Sequence, residues 1–67
     1  MYGIVATVEP KVGGIQKQIR LEGYKDYSSM RRGVKVRMAN KQLLMVKYYE
    51  FCIDKNGFRI VNKFRME

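Results

Sequence analysis

Apolar and polar residues alternate along most of this chain, and the alternation outlines β-strands. Tyr2, Ile4, Ala6 and Val8 interleave with Gly3, Val5 and Thr7. Both sets are largely apolar, which predicts a strand buried on two sides. Glu9-Pro10 ends it, because proline has no N–H to give to a ladder. Lys11–Gly14 reads as a turn in which Gly13 and Gly14 are free to take positive φ. Over Ile15–Glu22, Ile15, Ile19 and Leu21 share one side with Lys17, and Gln16, Gln18, Arg20 and Glu22 share the other. That is the pattern of an antiparallel strand with one wet face. Val34–Ala39 repeats it, with Val34, Val36 and Met38 inward and Lys35 and Arg37 outward. Leu43–Asp54 and Phe58–Met66 complete a predicted set of five strands.

Three places allow more than one reading. Between Gly23 and Gly33 the alternation breaks. Either Asp26 caps a helix of one or two turns closed by Gly33, or the segment is an irregular loop with Tyr24, Tyr27 and Met30 folded beneath it. Lys41–Val46 contains good helix formers, so a helix opened by Asn40 competes with a strand there. The aromatic and β-branched run Val46–Ile53 favours the strand. In the last hairpin, a two-residue Asn56-Gly57 loop of type I′ sets Asp54 opposite Arg59 and Glu50 opposite Lys63. A four-residue loop keeps the same faces and loses both ion pairs. In either case Phe58, Ile60, Asn62, Phe64 and Met66 share one side and Arg59, Val61, Lys63 and Arg65 the other, so Phe58, Ile60 and Phe64 are expected in the core.

Five short strands imply an all-β fold, a small five-stranded antiparallel barrel (SH3-like or OB-like) with a short helix or loop near residues 24–32. Closure would remove the exposed edges. The long connection falls between the second and third strands, which favours the SH3-like form. The run Gly3–Met38, GIVATVEPKVGGIQKQIRLEGYKDYSSMRRGVKVRM, resembles the rhythm of cold-shock and S1-type OB domains: an opening strand, a Gly turn, a polar loop, then Gly with alternating Val and basic residues. Gly14-Ile15 stands where that family has its Gly-Phe stacking motif, so no site residue follows from the resemblance.

Sixty-seven residues make one small domain, 1–67. No apolar run approaches the ~18 residues of a membrane span, and MYGIVATVEP lacks the basic and apolar regions of a signal peptide. The expected location is cytoplasmic, with no membrane partner. Cys52 is the single cysteine and there is no histidine. A thiol nucleophile has no imidazole base, and His-containing zinc sites and Ser-His triads are absent. The chain is expected to be no enzyme and to carry no cofactor or metal.

Charge sharpens the picture. Fourteen Lys and Arg oppose six Asp and Glu, a net charge of +8, and such a balance speaks to polyanion binding. The acids are Glu9, Glu22, Asp26, Glu50, Asp54 and Glu67. Between Tyr27 and Tyr49 the charged residues are all basic: Arg31, Arg32, Lys35, Arg37, Lys41 and Lys47. These cations are the expected phosphate contacts, with Tyr27 or Tyr48 stacking on a base. The expected function is binding of nucleic acid, single-stranded DNA or RNA preferred, through a basic stripe on a β-surface. A small inhibitor or accessory factor docking on an acidic protein partner is the alternative, and an open edge strand would suit that partner or a second copy of the chain in a homodimer.

Overall fold

A computed structural model of the chain describes residues 1–66; Glu67 lies outside them. The described residues form strand β1 (Tyr2–Pro10), strand β2 (Lys17–Tyr24), helix α1 (Tyr27–Asn40), strand β3 (Leu43–Asp54) and strand β4 (Gly57–Arg65). The strands make one open antiparallel sheet in the order β2-β1-β3-β4. The predominance of antiparallel strand agrees with the pattern of the sequence. The five-stranded barrel does not: the sheet has four strands and does not close.

The missing strand is Val34–Ala39, which is helical. Its hydrophobic spacing is ambiguous, because Val34 and Met38 satisfy a period of two and also a spacing of four. Met30, Val34 and Met38 are the buried helix residues, four apart, whereas Val36 is 54 % exposed. Asp26 is the N-cap, and its Oδ1 accepts the Ser29 N–H at 2.7 Å. That hydrogen bond, with the nearby Arg32 charge as a lesser cause, holds the Asp26 carboxyl below the usual range. The helix runs through Gly33 instead of ending there. A Cβ on Gly33 would lie 2.8 Å from the Tyr24 ring, so the glycine lets β2 approach the helix closely. The likeness to OB domains fails at this helix.

The core lies between α1 and one face of the sheet. Ile4, Ala6 and Val8 of β1 meet Met30, Val34 and Met38, with Ile19, Leu21, Met45 and Tyr48 packed around them. Burying such side chains is worth ~1.5–3 kcal/mol each. β1 is buried without a break from Gly3 to Ala6, as expected from its two apolar sets. β2 begins at Lys17, two residues later than predicted, and leaves Ile15 89 % exposed. Gly13 and Gly14 do take positive φ.

The last hairpin departs from its preferred register. Asp54 pairs with Gly57, Ile53 with Phe58 and Phe51 with Ile60, so the connecting residues are Lys55 and Asn56, and Arg59 reaches Asp54 (3.2 Å) without standing opposite it. Gly57 has φ 102°, while Lys55 and Asn56 have no positive φ. Such a turn followed by a left-handed glycine replaces type I′. The Asn56 N–H donates to Asp54 Oδ1 at 2.8 Å and steadies it. A bulge then leaves Val61 without a partner, so that Asn62 faces Glu50, where an unbroken ladder from this tip would put Val61 and the type I′ register Lys63. The alternation of β4 therefore reverses beyond Ile60, and every residue of the strand is exposed. Phe58, Ile60 and Phe64 are not core.

The sheet face away from α1 has a small cluster of its own. Phe51 is fully buried there, stacked on Phe58 (5.2 Å) and capped by the Arg20 guanidinium (4.9 Å). It sits directly on Gly3, where a Cβ would approach Phe51 Cζ to 2.5 Å and the Leu21 carbonyl to 2.7 Å. Gly3→Ala should destabilise the fold by about 1–3 kcal/mol through overpacking. Urea denaturation would measure this, and an unchanged midpoint would contradict the close contact.

Candidate nucleic-acid interface

Strand register decides which charged side chains share a surface. On the open face, β3 presents Lys47, Tyr49, Phe51 and Ile53. β4 presents Arg65 opposite Lys47, Lys63 opposite Tyr49, Ile60 opposite Phe51 and Phe58 opposite Ile53. β1 and β2 add Val5, Thr7, Gln18 and Arg20. The bulge at Val61 is what brings Lys63 and Arg65 to the side of Phe58 and Ile60. A shallow hollow of about 640 Å³ lies across this face, bounded by Lys47, Tyr49, Lys63 and Arg65.

The electrostatics of this hollow are one-sided. The ion pairs among the described residues are Arg20–Glu22 (3.0 Å), Arg31–Glu50 (3.3 Å) and Arg59–Asp54 (3.2 Å). Lys47, Lys63 and Arg65 take part in none of them. Lys47 and Arg65 are direct cross-strand neighbours, and like charges so placed repel. An anion between them would relieve that repulsion. Beside them Tyr49 is half-buried, and Phe58 is 53 % exposed with its ring held flat on Phe51. The hollow thus combines unpaired cations with aromatic rings, as a surface that stacks bases and holds phosphates requires.

The residues singled out from sequence are divided between two sides of the molecule. Lys47 alone lies in the open-face hollow. Arg31, Arg32, Lys35 and Arg37 are on α1, and Lys41 is its C-cap. On a helix, Lys35 and Arg37 point about 200° apart, so they do not share the strand face first assigned to them. Arg31 and Lys35 border a second hollow of about 480 Å³ between α1 and β4, with Tyr48 and Phe64 on its floor. Arg37 and Lys41 flank Tyr24 on the opposite side of the helix. Tyr48 stacks on Phe64 at 5.2 Å, on the helix side of the sheet. Lys63, Arg65, Tyr49 and Phe58 were not singled out, because strict alternation sets the two cations on the other face from Phe58.

Tyr27 and Arg31 serve the interior. Glu50 is 1 % exposed. Its Oε1 accepts from the Tyr27 hydroxyl (2.7 Å) and from Asn62 Nδ2 (2.9 Å), and its Oε2 from Arg31 Nη1 (3.3 Å). Donation to this carboxylate pushes the Tyr27 phenol above its ordinary value, with burial and the negative charge adding to the effect. No group of three or more metal-ligating side chains lies together among the described residues, and no helix is long and apolar enough to cross a membrane.

No protein-family model, curated protein or solved structure matches the chain.

The raised phenol has a definite sign. The fold favours neutral Tyr27, so its contribution is whole below the ordinary value of about 10 and is lost as pH rises through the folded value. Tyr27→Phe should cost about 1.5 kcal/mol near neutral pH, at the low end for a bond to a charged group because the ring is partly exposed. The gap between native and variant should narrow above about pH 10. Urea titrations at stepped pH measure both, and a constant gap would contradict the assignment.

Proposed function

We propose that this protein binds single-stranded nucleic acid on the open face of its sheet. One observation carries the reading: Lys47, Lys63 and Arg65 cluster beside Tyr49, outside every ion pair among the described residues, on a face that no helix covers. Phosphates occupy the rim made by the three cations, and bases stack on Tyr49 and on the Phe58 ring. A flat sheet face suits unpaired bases, whose ring faces a duplex would hide. Val5, Thr7 and Gln18 form the far wall of the hollow and supply few base-specific groups. Binding is therefore broad in sequence.

The cations on the outside of α1 support a second reading. Arg32, Lys35, Arg37 and Lys41 lie outside the ion pairs described above, and they surround a helix instead of flanking exposed rings. Such a surface suits an acidic protein partner, in keeping with an accessory or inhibitory role.

Salt titration separates the two. Affinity for a single-stranded oligonucleotide should fall with salt at a log–log slope near −0.7 per phosphate contacted. Lys47→Glu should weaken binding to all sequences alike and flatten that slope. Arg32→Glu, on the helix, should leave both almost unchanged. Tyr49→Leu should cost about 1–3 kcal/mol of binding with little change in slope. Equal loss from the Lys47 and Arg32 reversals would mean that the open face is not the site. Absence of binding at low salt would remove the nucleic-acid reading and leave the protein-docking one.

A further inference from the structure

β4 is the outermost strand on its side of the sheet, and all nine of its residues are exposed. Its apolar side chains emerge on both faces. Phe58 and Ile60 stand on the open face, and Phe64 stands on the helix side. Helix α1 packs on β1, β2 and β3, and its backbone does not come close to that of β4. A long, uncovered edge with apolar residues on both sides is a template for strand pairing. Its cations, Arg59, Lys63 and Arg65, discourage most strands from adding to it.

We infer that a second copy of this chain pairs along β4, antiparallel, to give one continuous eight-stranded sheet. The bulge selects the register. Residues directly opposite in an antiparallel pair emerge on the same face. In β4, Phe58, Ile60, Lys63 and Arg65 lie on the open face, and Arg59, Asn62 and Phe64 on the helix side. A two-fold axis midway between Val61 and Asn62 matches these sets. Phe58 of each copy then falls opposite Arg65 of the other, Ile60 opposite Lys63, and Arg59 opposite Phe64. Each cation meets an apolar or aromatic side chain and never another cation, and arginine over an aromatic ring is attractive. A slip of one residue either way sets Arg59 against Lys63 or against Arg65 and crosses the faces. A slip of two toward the turn keeps the faces but drops Arg65 out of the ladder. An edge that repels foreign cationic strands thus pairs most fully with its own copy in this arrangement. The pairing does not rest on nucleic-acid binding. It does join two open faces into one, with two Lys47–Lys63–Arg65 clusters on the same side.

Light scattering on nucleic-acid-free protein tests this. The expected mass is twice the 7.9 kDa of the chain. Phe58→Lys sets a cation opposite Arg65 at two places and should give the single-chain mass. Phe58→Glu sets a carboxylate there and should keep the doubled mass. Both variants lose the same stack on Phe51, so the difference between them reads the pairing and not the fold. Circular dichroism checks that each is folded. Should either fail to fold, Ile60→Lys and Ile60→Glu, opposite Lys63, are expected to split in the same way. A single-chain mass for the native protein at all concentrations would overturn the inference. So would a doubled mass that responds equally to Lys and Glu, since the contact would then lie elsewhere.

Discussion

A single buried carboxylate ties this fold together. Glu50 sits in β3 under the first turn of α1, and each of its three donors comes from a different place: Tyr27 and Arg31 from successive turns of the helix, Asn62 from β4. Taking a carboxylate out of water costs several kcal/mol unless donors replace the lost hydration. The helix start and the middle of the edge strand are therefore constrained to remain where their donors reach it. Asn62 arrives opposite Glu50 only because Val61 is bulged out of the ladder. In an unbroken ladder running on from the Phe51–Ile60 pair, Val61 would stand in that place and offer Glu50 no donor. The Asn62 amide would then be lost from it.

The same bulge sorts the charges. Up to Ile60 the strand keeps its aromatic and aliphatic residues on the open face, and beyond Val61 its cations come to that side. An interior requirement for the side chain facing Glu50 thereby builds an exterior surface of Lys63 and Arg65 beside Tyr49. Bulges re-aim side chains in this way at sheet edges and beside functional sites. The basic residues of α1 follow a different logic. They spread around the exposed part of a helix whose buried side is fixed by Met30, Val34 and Met38.

Features set by local chemistry were legible in the sequence. The doubly apolar β1, the wet face of β2, the Gly13-Gly14 turn, the Asp26 cap and the strand from Leu43 to Asp54 all follow from residues close in the chain. The helix was not, because Val34 and Met38 satisfy both periods and only the exposure of Val36 decides between them. Nor was the bulge, since no residue type marks Val61 as the one to lose its partner. The candidate site suffered from both ambiguities. Lys35 and Arg37 were read onto a strand face that does not exist, while Lys63 and Arg65 were read onto the side away from Phe58. Lys47 lies on a strand, as its sequence pattern predicted. Tyr27 and Tyr48 were natural stacking candidates by residue type, yet one donates to Glu50 and the other lies against Phe64.

One helix can cover only one face of a four-stranded sheet, and the described residues hold no second helix for the other. The uncovered face solves part of that problem internally. Phe51 is buried without a second layer, because Gly3 removes the side chain beneath it while Phe58 and Arg20 close over the top. The same contacts hold the Phe58 ring flat, with its outer side exposed. A ring fixed before a ligand arrives loses little conformational freedom when a base stacks on it, and lost freedom is a main cost of binding. The contacts that keep Phe51 from water on the open face are thus the same ones that fix the Phe58 ring.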